Sequence, residues 1–148
     1  MEERFELFTA LILNIGRCIR KIKSEEMEEF QLKSYHVSCL YYLYKEKSLT
    51  AKALCELCEE DKANVSRALD ELEALGYLAD RGQTGKRYRR SLRLSDKGLE
   101  VGAHLMRKID TVLQSVSDGL DEEHRRVMYE SLSLLSTNLQ KKCDEYHP

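Results

Sequence analysis

The sequence predicts a mainly helical fold that contains one small β-hairpin. Apolar residues recur at steps of three and four over most of the 148 residues, which is the spacing of amphipathic helices. Proline, which interrupts helices, occurs once, at Pro148. Residues 77–94 depart from the helical spacing, because apolar and polar side chains alternate there as they do along strands.

Three helices are predicted in the first part of the chain. The first covers residues 5–22, and a second runs from about Ser34 to Lys45. A short third helix follows Thr50, whose hydroxyl suits the N-cap position. The apolar stripes consist of Phe5, Leu7, Phe8, Leu11, Ile12, Ile15, Cys18, Ile19 and Ile22 on the first helix and of Val37, Leu40, Tyr41 and Tyr44 on the second, and the third helix is expected to turn Leu54, Leu57 and Cys58 inward.

A fourth helix, "KANVSRALDELEAL", is predicted after Asp61, which suits its N-cap. Gly76 is expected to end this helix, because glycine readily adopts the left-handed conformation that closes one. The segments "YLADR" and "RSLRLS" then form the arms of a hairpin around the turn "GQTG". The apolar stripe of the fourth helix consists of Val65, Leu69, Leu72 and Leu75.

Two further helices complete the chain. One runs from about Asp96 to Val116 and is interrupted at Gly119, and Asp121 then suits the N-cap of the last helix. Because no Gly/Ser-rich linker or internal repeat divides the sequence, we expect residues 1–148 to form one unit. The apolar residues of the last helix are Val127, Met128, Leu132, Leu135 and Leu139.

The composition is that of a globular protein, since 34% of the residues are charged, 42% are hydrophobic and both signs of charge are widely spread. The longest apolar segment near the start, "LFTALILNIG", is about half of the roughly 20 residues that cross a bilayer. It also lacks the cleavage site of a secretion signal. We therefore expect a cytoplasmic protein with no membrane partner.

Positive charge is concentrated in one segment. Residues 85–98, "GKRYRRSLRLSDKG", carry six basic side chains and one acidic one, whereas the whole chain has a net charge of −2. A local basic cluster of this kind suits a polyanionic partner. The alternative is a solvated, charged hairpin with no partner.

The order of elements favours the polyanion. Helices two to four followed by a hairpin match a winged helix-turn-helix, in which one helix enters the major groove of DNA and the hairpin lies along the backbone. The fourth helix begins with side chains that suit bases and phosphates: Lys62, Asn64, Ser66 and Arg67. The hairpin adds Lys86, Arg87, Arg89, Arg90 and Arg93, with Tyr88 among them, and turns Leu92 and Leu94 inward.

With these motifs the whole chain resembles the MarR family of bacterial transcriptional regulators. The matching segments are "LTAKALCELCEEDKANVSRALDELEALGYLADR" and "LRLSDKG", which are similar to the family's helix-turn-helix, its Gly-Tyr-Leu exit and its Leu-Thr-x-x-Gly after the wing. The resemblance implies a homodimer on a palindromic operator, with residues 1–31 and 98–148 as dimerisation helices and residues 32–97 as the winged helix-turn-helix. It makes Lys62, Ala63, Asn64, Ser66 and Arg67 the major-groove readers.

The wing departs from the family pattern, which has an Asp followed closely by an Arg that enters the minor groove. Lys86 stands in the place of that Asp, and Tyr88 in the place of that Arg. The resemblance therefore leaves open which of Arg87, Arg89 and Arg90 enters the groove.

The residues themselves also indicate dimerisation. The first helix and the last two carry wide apolar faces that a small DNA-binding module cannot cover, and such faces mark interfaces. The alternative is an intramolecular bundle. The residues concerned include Leu7, Leu11, Ile15, Val127, Leu135 and Leu139.

Five cysteines without disulfide spacing indicate reduced thiols. Cys55 and Cys58 form "CELC", but no second pair follows, so we interpret them as core residues and expect no metal site. Some MarR-like regulators sense peroxides through a first-helix cysteine, which makes Cys18 a candidate, although its spacing favours the apolar stripe. Cys39 and Cys143 show less of a functional pattern.

The family commonly holds a small aromatic ligand between its dimerisation helices and its DNA-binding module. By that resemblance, the candidate cleft residues here are Arg17, Tyr35, His36 and His104. No cofactor is expected, and no phosphate loop or nucleophile motif indicates an enzyme. The sequence thus predicts a dimeric repressor that a ligand or oxidant releases from DNA. The alternative is a winged-helix module that binds a protein partner instead.

Overall fold

The computed structural model describes residues 2–79 and 91–146 and is mainly helical, as predicted. The basic hairpin residues Lys86, Arg87, Arg89 and Arg90 lie outside this range, and so does Tyr88. Six α-helices are described: α1 (Glu2–Glu26), α2 (Ser34–Glu46), α3 (Ala51–Leu57), α4 (Lys62–Ala74), α5 (Asp96–Val116) and α6 (Glu122–Asp144). A short 3₁₀ helix, Glu28–Phe30, follows α1, and the described residues contain two strands, β1 (Leu49–Thr50) and β2 (Ser91–Leu92).

The chain divides into two compact units, Met1–Ile109 and Asp110–Pro148. The first unit holds the hydrophobic core, in which α2 packs against α4 and α3 contacts both. Helices α2, α3 and α4 thus surround one apolar centre. The largest fully buried side chains are those of Met27, Leu32, His36, Cys39, Leu40, Leu43, Leu54, Val65, Leu69 and Leu72.

The predicted helix caps are present. The Thr50 hydroxyl accepts a hydrogen bond from the Ala53 N–H at 3.1 Å and starts α3. The Asp61 carboxylate accepts from the Asn64 N–H at 2.7 Å and starts α4. At the end of α4, Gly76 adopts a φ of +79°, and the Tyr77 N–H bonds to the Leu72 carbonyl. This is the left-handed closure that the glycine predicts.

Within the helix-turn-helix region, Leu57 departs from its predicted core position and Leu75 departs from it in part. Leu57 is 42% exposed, because α3 has only seven residues and Cys58, four residues after the buried Leu54, takes the inward position. Leu75 is half-buried at the edge of the core, since α4 ends at Ala74 and the chain turns away there.

The hairpin is paired at its base and extended by a strand that the sequence did not predict. Leu78 bridges Leu94, and the Ser95 N–H donates to the Tyr77 carbonyl. On its other edge the return arm pairs with β1, antiparallel, with Leu49 opposite Leu92. Leu92 and Leu94 are buried and Arg93 is exposed, which confirms the predicted alternation. The described base of the hairpin is therefore anchored to the segment between α2 and α3.

Gly98 allows α5 to lie against the start of the wing. A Cβ added there would come 2.1 Å from the Tyr77 carbonyl oxygen, which is backbone and cannot rotate away. The Ser95 hydroxyl joins the same place, since it donates to the Gly76 carbonyl at 2.6 Å and accepts from the Gly98 N–H at 3.1 Å. In the segment "LSDKG", Ser95 and Gly98 therefore join the start of α5 to the residues that follow α4.

Gly98→Ala is expected to destabilise the protein by about 1–3 kcal/mol, because the added methyl group forces the backbone of α5 from Tyr77. Gly16→Ala is the matched control. A Cβ at Gly16 would meet only the Arg20 guanidinium at 3.6 Å, so alanine should stabilise α1 by about 0.5–1 kcal/mol. Urea unfolding measures both changes, and equal effects of the two substitutions would contradict the close approach at Gly98.

The second unit contains the end of α5, a turn and α6. Gly119 has a φ of +83° in the turn, and the Asp121 carboxylate accepts from the His124 N–H at 2.8 Å to cap α6, as predicted. No described residue of α6 is buried within the single chain. Its exposed apolar side chains include Val127, Leu132, Leu134, Leu135 and Leu139. Among the described residues, no helix is both long and apolar enough to span a bilayer.

Candidate nucleic-acid interface

The first turns of α4 present a polar surface because the opposite side of the helix is fixed in the core. Val65, Ala68, Leu69 and Leu72 are buried, and α2 packs on that side. The predicted contact residues Lys62, Ala63, Ser66 and Arg67 are exposed, and Asn64 is half-buried. All five lie within the first six residues of α4, so the structure brings the predicted reading residues together.

Three carboxylates precede this surface, and each has a partner within the protein. Glu59 accepts hydrogen bonds from Lys23 Nζ at 2.6 Å and from the Ser38 hydroxyl at 2.5 Å. Glu60 accepts from the Asn64 side-chain amide at 3.1 Å, and Asp61 caps the helix. Burial opposes ionisation of Glu59, but the bonds from Lys23 and Ser38 outweigh it and lower its pKa. These contacts tie the turn between α3 and α4 to α1 and α2.

Arg67, on the polar face of α4, contacts two neighbouring side chains, Tyr35 and Glu71. Its guanidinium carbon lies 4.1 Å from the centre of the Tyr35 ring, and its Nε lies 3.5 Å from Glu71 Oε1. The side chain nevertheless remains 56% exposed. Arg67 is thus held by α2 and by its own helix while it still faces solvent.

Glu71 connects Arg67 to the start of α2. Its Oε2 accepts from the Tyr35 hydroxyl and lies beside His36 Nε2, both at 2.6 Å. The hydrogen bond from Tyr35, followed by the one from His36, lowers the pKa of Glu71. Burial, together with the bond to Glu71, raises the pKa of Tyr35. Glu71 is therefore a carboxylate with two donors at one oxygen and a cation at the other.

The contacts of His36 define its tautomer. The Lys33 N–H donates to His36 Nδ1 at 2.8 Å, so the neutral ring carries its proton on Nε2 and donates it to Glu71. Burial lowers the pKa of His36, and the hydrogen bond to Glu71 offsets this only in part. The imidazole is consequently neutral near pH 7, because a second proton would have to face the Lys33 N–H.

The buried neutral His36 predicts a loss of stability in mild acid. Since its pKa in the folded state is depressed, its contribution is complete above the unfolded value of about 6.5 and is lost as the pH falls through the folded value. We expect the free energy of unfolding to fall between pH 7 and pH 5, with a flatter profile in His36→Gln. His104→Gln, at an exposed imidazole, is the control. Parallel profiles for wild type and His36→Gln would contradict this assignment.

The four predicted ligand-cleft residues are placed in three different surroundings. Tyr35 and His36 are buried in the network around Glu71. Arg17 is exposed on α1 and hydrogen-bonds to Asn14 within the same helix. His104 is exposed on α5, with its ring 5.3 Å from that of Phe30. The described contacts therefore do not join the four into one cleft.

The cysteines agree in part with their interpretation. Cys58 and Cys39 are buried with their sulfurs 3.9 Å apart, and Cys55 packs half-buried against the core. The contact with Cys58, together with burial, raises the pKa of Cys39, which keeps this thiol neutral. Cys18 is exposed, so its interpretation as a core residue does not hold within one chain. Among the described residues, no group of three or more His, Cys, Asp and Glu is arranged to hold a metal ion.

Sequence reasoning did not identify Glu71 and Tyr35 as part of this surface. Arg67 and Glu71 are four residues apart on a helix, and this spacing predicts an ion pair. Tyr35 lies 36 residues from Glu71, and no local pattern joins them. The same holds for Lys23 and Glu59, which are also 36 residues apart.

The fold and the exposed polar start of α4 define a winged helix-turn-helix protein. The sequence model of the MarR family matches residues 30–87, which contain α2, α3 and α4, and so supports the resemblance over this part of the chain. No curated protein gave a significant match to the chain.

Solved structures of MarR regulators share the fold. A MarR family regulator from Neisseria meningitidis is 21% identical, with a TM-score of 0.76 over 98% of this chain and 99% of that one. A MarR transcriptional regulator from Methanosarcina mazei Go1 is also 21% identical, with a TM-score of 0.76 over 92% and 91%. An organohalide-sensing transcriptional regulator in its 2,4-dichlorophenol-bound form is 15% identical, with a TM-score of 0.77 over 92% and 81%.

Proposed function

We propose that this chain is a transcriptional regulator of the MarR type that binds double-stranded DNA by sequence. The observation that carries the proposal is the exposed start of α4, where Lys62, Ser66 and Arg67 face solvent on a helix whose other side is fixed in the core. Arg67 and Asn64 are of the types that read guanine and adenine in the major groove. The basic wing segment would add contacts to phosphates or to the minor groove through Lys86, Arg87, Arg89 and Arg90.

The functional form in this proposal is a homodimer. The support is the row of large apolar side chains that α1 and α6 expose in the single chain. Residues 1–31 and 98–148 would supply the dimer contacts, and residues 32–97 the winged helix-turn-helix. Two copies related by a twofold axis place two α4 helices on the half-sites of a palindromic operator.

Regulation in this proposal is repression relieved by a signal in the cytoplasm. A small aromatic ligand is one candidate signal, because the organohalide-sensing regulator of similar fold was solved with 2,4-dichlorophenol. An oxidant acting at Cys18 is the other, since this thiol is exposed in the single chain. Both are hypotheses about this chain, and Arg17, Tyr35, His36 and His104 remain the candidate ligand residues.

The salt dependence of DNA binding tests this proposal against the alternative, a module that captures an acidic protein. Fluorescence anisotropy with a labelled random duplex gives the affinity at each salt concentration. We expect the affinity to fall by about 10³–10⁵ between 50 and 200 mM salt if 6–10 phosphates are contacted. Failure to bind any duplex at 50 mM salt would favour the protein-binding module.

A further inference from the structure

We propose that Tyr35 and Glu71 are positioning residues for Arg67, and that base discrimination by α4 depends on them through that arginine. Tyr35 supplies the ring on which the guanidinium lies, at 4.1 Å, and Glu71 supplies the carboxylate beside Nε, at 3.5 Å. The inference rests on the proposed function, because it concerns how a DNA-reading side chain is held before DNA arrives.

The two oxygens of Glu71 have separate roles. Oε2 accepts from both the Tyr35 hydroxyl and His36 Nε2, at 2.6 Å each, which leaves Oε1 to face Arg67. A glutamate on a helix surface normally samples several rotamers, and this side chain is 41% exposed. Two donors at one oxygen select a single rotamer, and that rotamer directs the second oxygen toward the guanidinium.

The donors are themselves fixed to the start of α2. His36 Nδ1 accepts from the Lys33 N–H at 2.8 Å, so the ring orientation and its Nε2 proton are set by the backbone. Both Tyr35 and His36 are buried, and their rings lie 4.1 Å apart. The position of Arg67 is thus linked through Glu71 to the main chain at the first turn of α2.

The contact between Arg67 and Glu71 is made at the inner end of the guanidinium. The ion pair to Glu71 runs through Nε, the inner nitrogen, and therefore does not require the terminal nitrogens. An arginine that is already ordered loses less rotamer freedom when it contacts a guanine. Removing the Tyr35 hydroxyl or the Glu71 carboxylate therefore lowers the affinity for the preferred sequence more than the affinity for other sequences.

The test uses the full-length protein and two duplexes, the sequence selected from a random pool and a copy with one base pair changed in each half-site. The measured quantity is the ratio of the two affinities. Tyr35→Phe removes the hydroxyl, keeps the ring and leaves the charge unchanged. We expect it to reduce the ratio by about threefold to tenfold, as for loss of order in one long side chain. Glu71→Gln, at a partly exposed site, should reduce the ratio of affinities by a similar factor. It should do so even though the loss of a negative charge weakens the repulsion between this surface and the DNA phosphates.

Tyr42→Phe is the matched control, since Tyr42 lies on the same helix and its hydroxyl makes no hydrogen bond within the described part of the chain. It should leave the ratio unchanged. In a protein that already carries Arg67→Ala, Tyr35→Phe should have no further effect on the ratio, whereas a merely structural role would lower affinity in both backgrounds.

The outcomes separate the inference from the proposed function. If the wild type prefers no sequence, the proposed function fails and the inference fails with it. If the wild type shows a preference that Arg67→Ala abolishes, and both Tyr35→Phe and Glu71→Gln retain it, the proposed function stands and the positioning role is overturned. An additive effect of Tyr35→Phe in the Arg67→Ala background also overturns the positioning role.

Discussion

Leu11→Glu is expected to convert the proposed dimer into a monomer and to reduce operator affinity about a hundredfold or more, because two linked half-sites bind far more tightly than one. Leu11 is 52% exposed in the single chain, so the substitution leaves the core of the first unit intact. Size-exclusion chromatography with light scattering measures the mass, and anisotropy measures the affinity.

The size of this effect follows from the surface that α1 exposes. Large apolar residues at helical spacing cover one side of it, including Phe5, Leu7, Leu11, Ile15 and Ile19. Burying one such side chain is worth about 1.5–3 kcal/mol, and a glutamate in its place would have to be desolvated without a partner. A homodimer carries the substitution on both copies, so the penalty applies twice.

Ala10→Glu is the matched control, since it introduces the same residue one position away on an exposed site of the same helix. At 100° per residue it lies outside the apolar stripe, so this variant should remain dimeric and bind DNA as the wild type does. A dimeric Leu11→Glu protein would show that this face of α1 is not the interface.

Arg67→Ala is expected to relax discrimination by about 1–3 kcal/mol at one base pair of each half-site, because the bidentate base contact proposed for this side chain is lost. Binding to random duplexes should change much less. The measurement is the ratio of affinities for the selected sequence and for its singly substituted copies. A change at every position alike would mean that Arg67 contacts only the backbone.

Arg126→Ala is a close control for Arg67→Ala. Arg126 also lies on a helix, is 59% exposed at its side chain and pairs with a glutamate four residues later, Glu130. Its loss removes the same charge and the same kind of ion pair, yet we expect no change in base discrimination.

The double variant Arg89→Ala/Arg90→Ala should instead weaken binding to all duplexes and flatten the salt dependence, as for phosphate contacts.

Much of the fold could be predicted from the sequence because its determinants are local. The caps at Thr50, Asp61 and Asp121 and the closure at Gly76 depend on residues within a few positions, and all four are present. The exposed face of α4 follows from the periodicity of its apolar residues. A short helix with few turns carries less of this signal, which is why Leu57 was placed incorrectly.

The parts of the fold and of the site that could not be predicted depend on contacts between segments that are distant in the sequence. β1 has two residues, and its partner strand begins 41 residues after β1 ends, so neither pattern nor propensity indicates the pair. Tyr35 is likewise joined to Glu71 only because α2 and α4 pack together. Arg67 could be proposed as a contact residue from its type and position, whereas its contacts with Tyr35 and Glu71 required the three-dimensional structure.

The most direct test of the central claim is selection of the purified, reduced protein against a randomised duplex pool at moderate salt, with sequencing of the bound fraction. A dimeric DNA reader predicts enrichment of an inverted repeat whose half-sites are centred about one helical turn, roughly 10 base pairs, apart. If the protein is shown to be folded and dimeric and the bound DNA shows no enriched sequence, the account is contradicted.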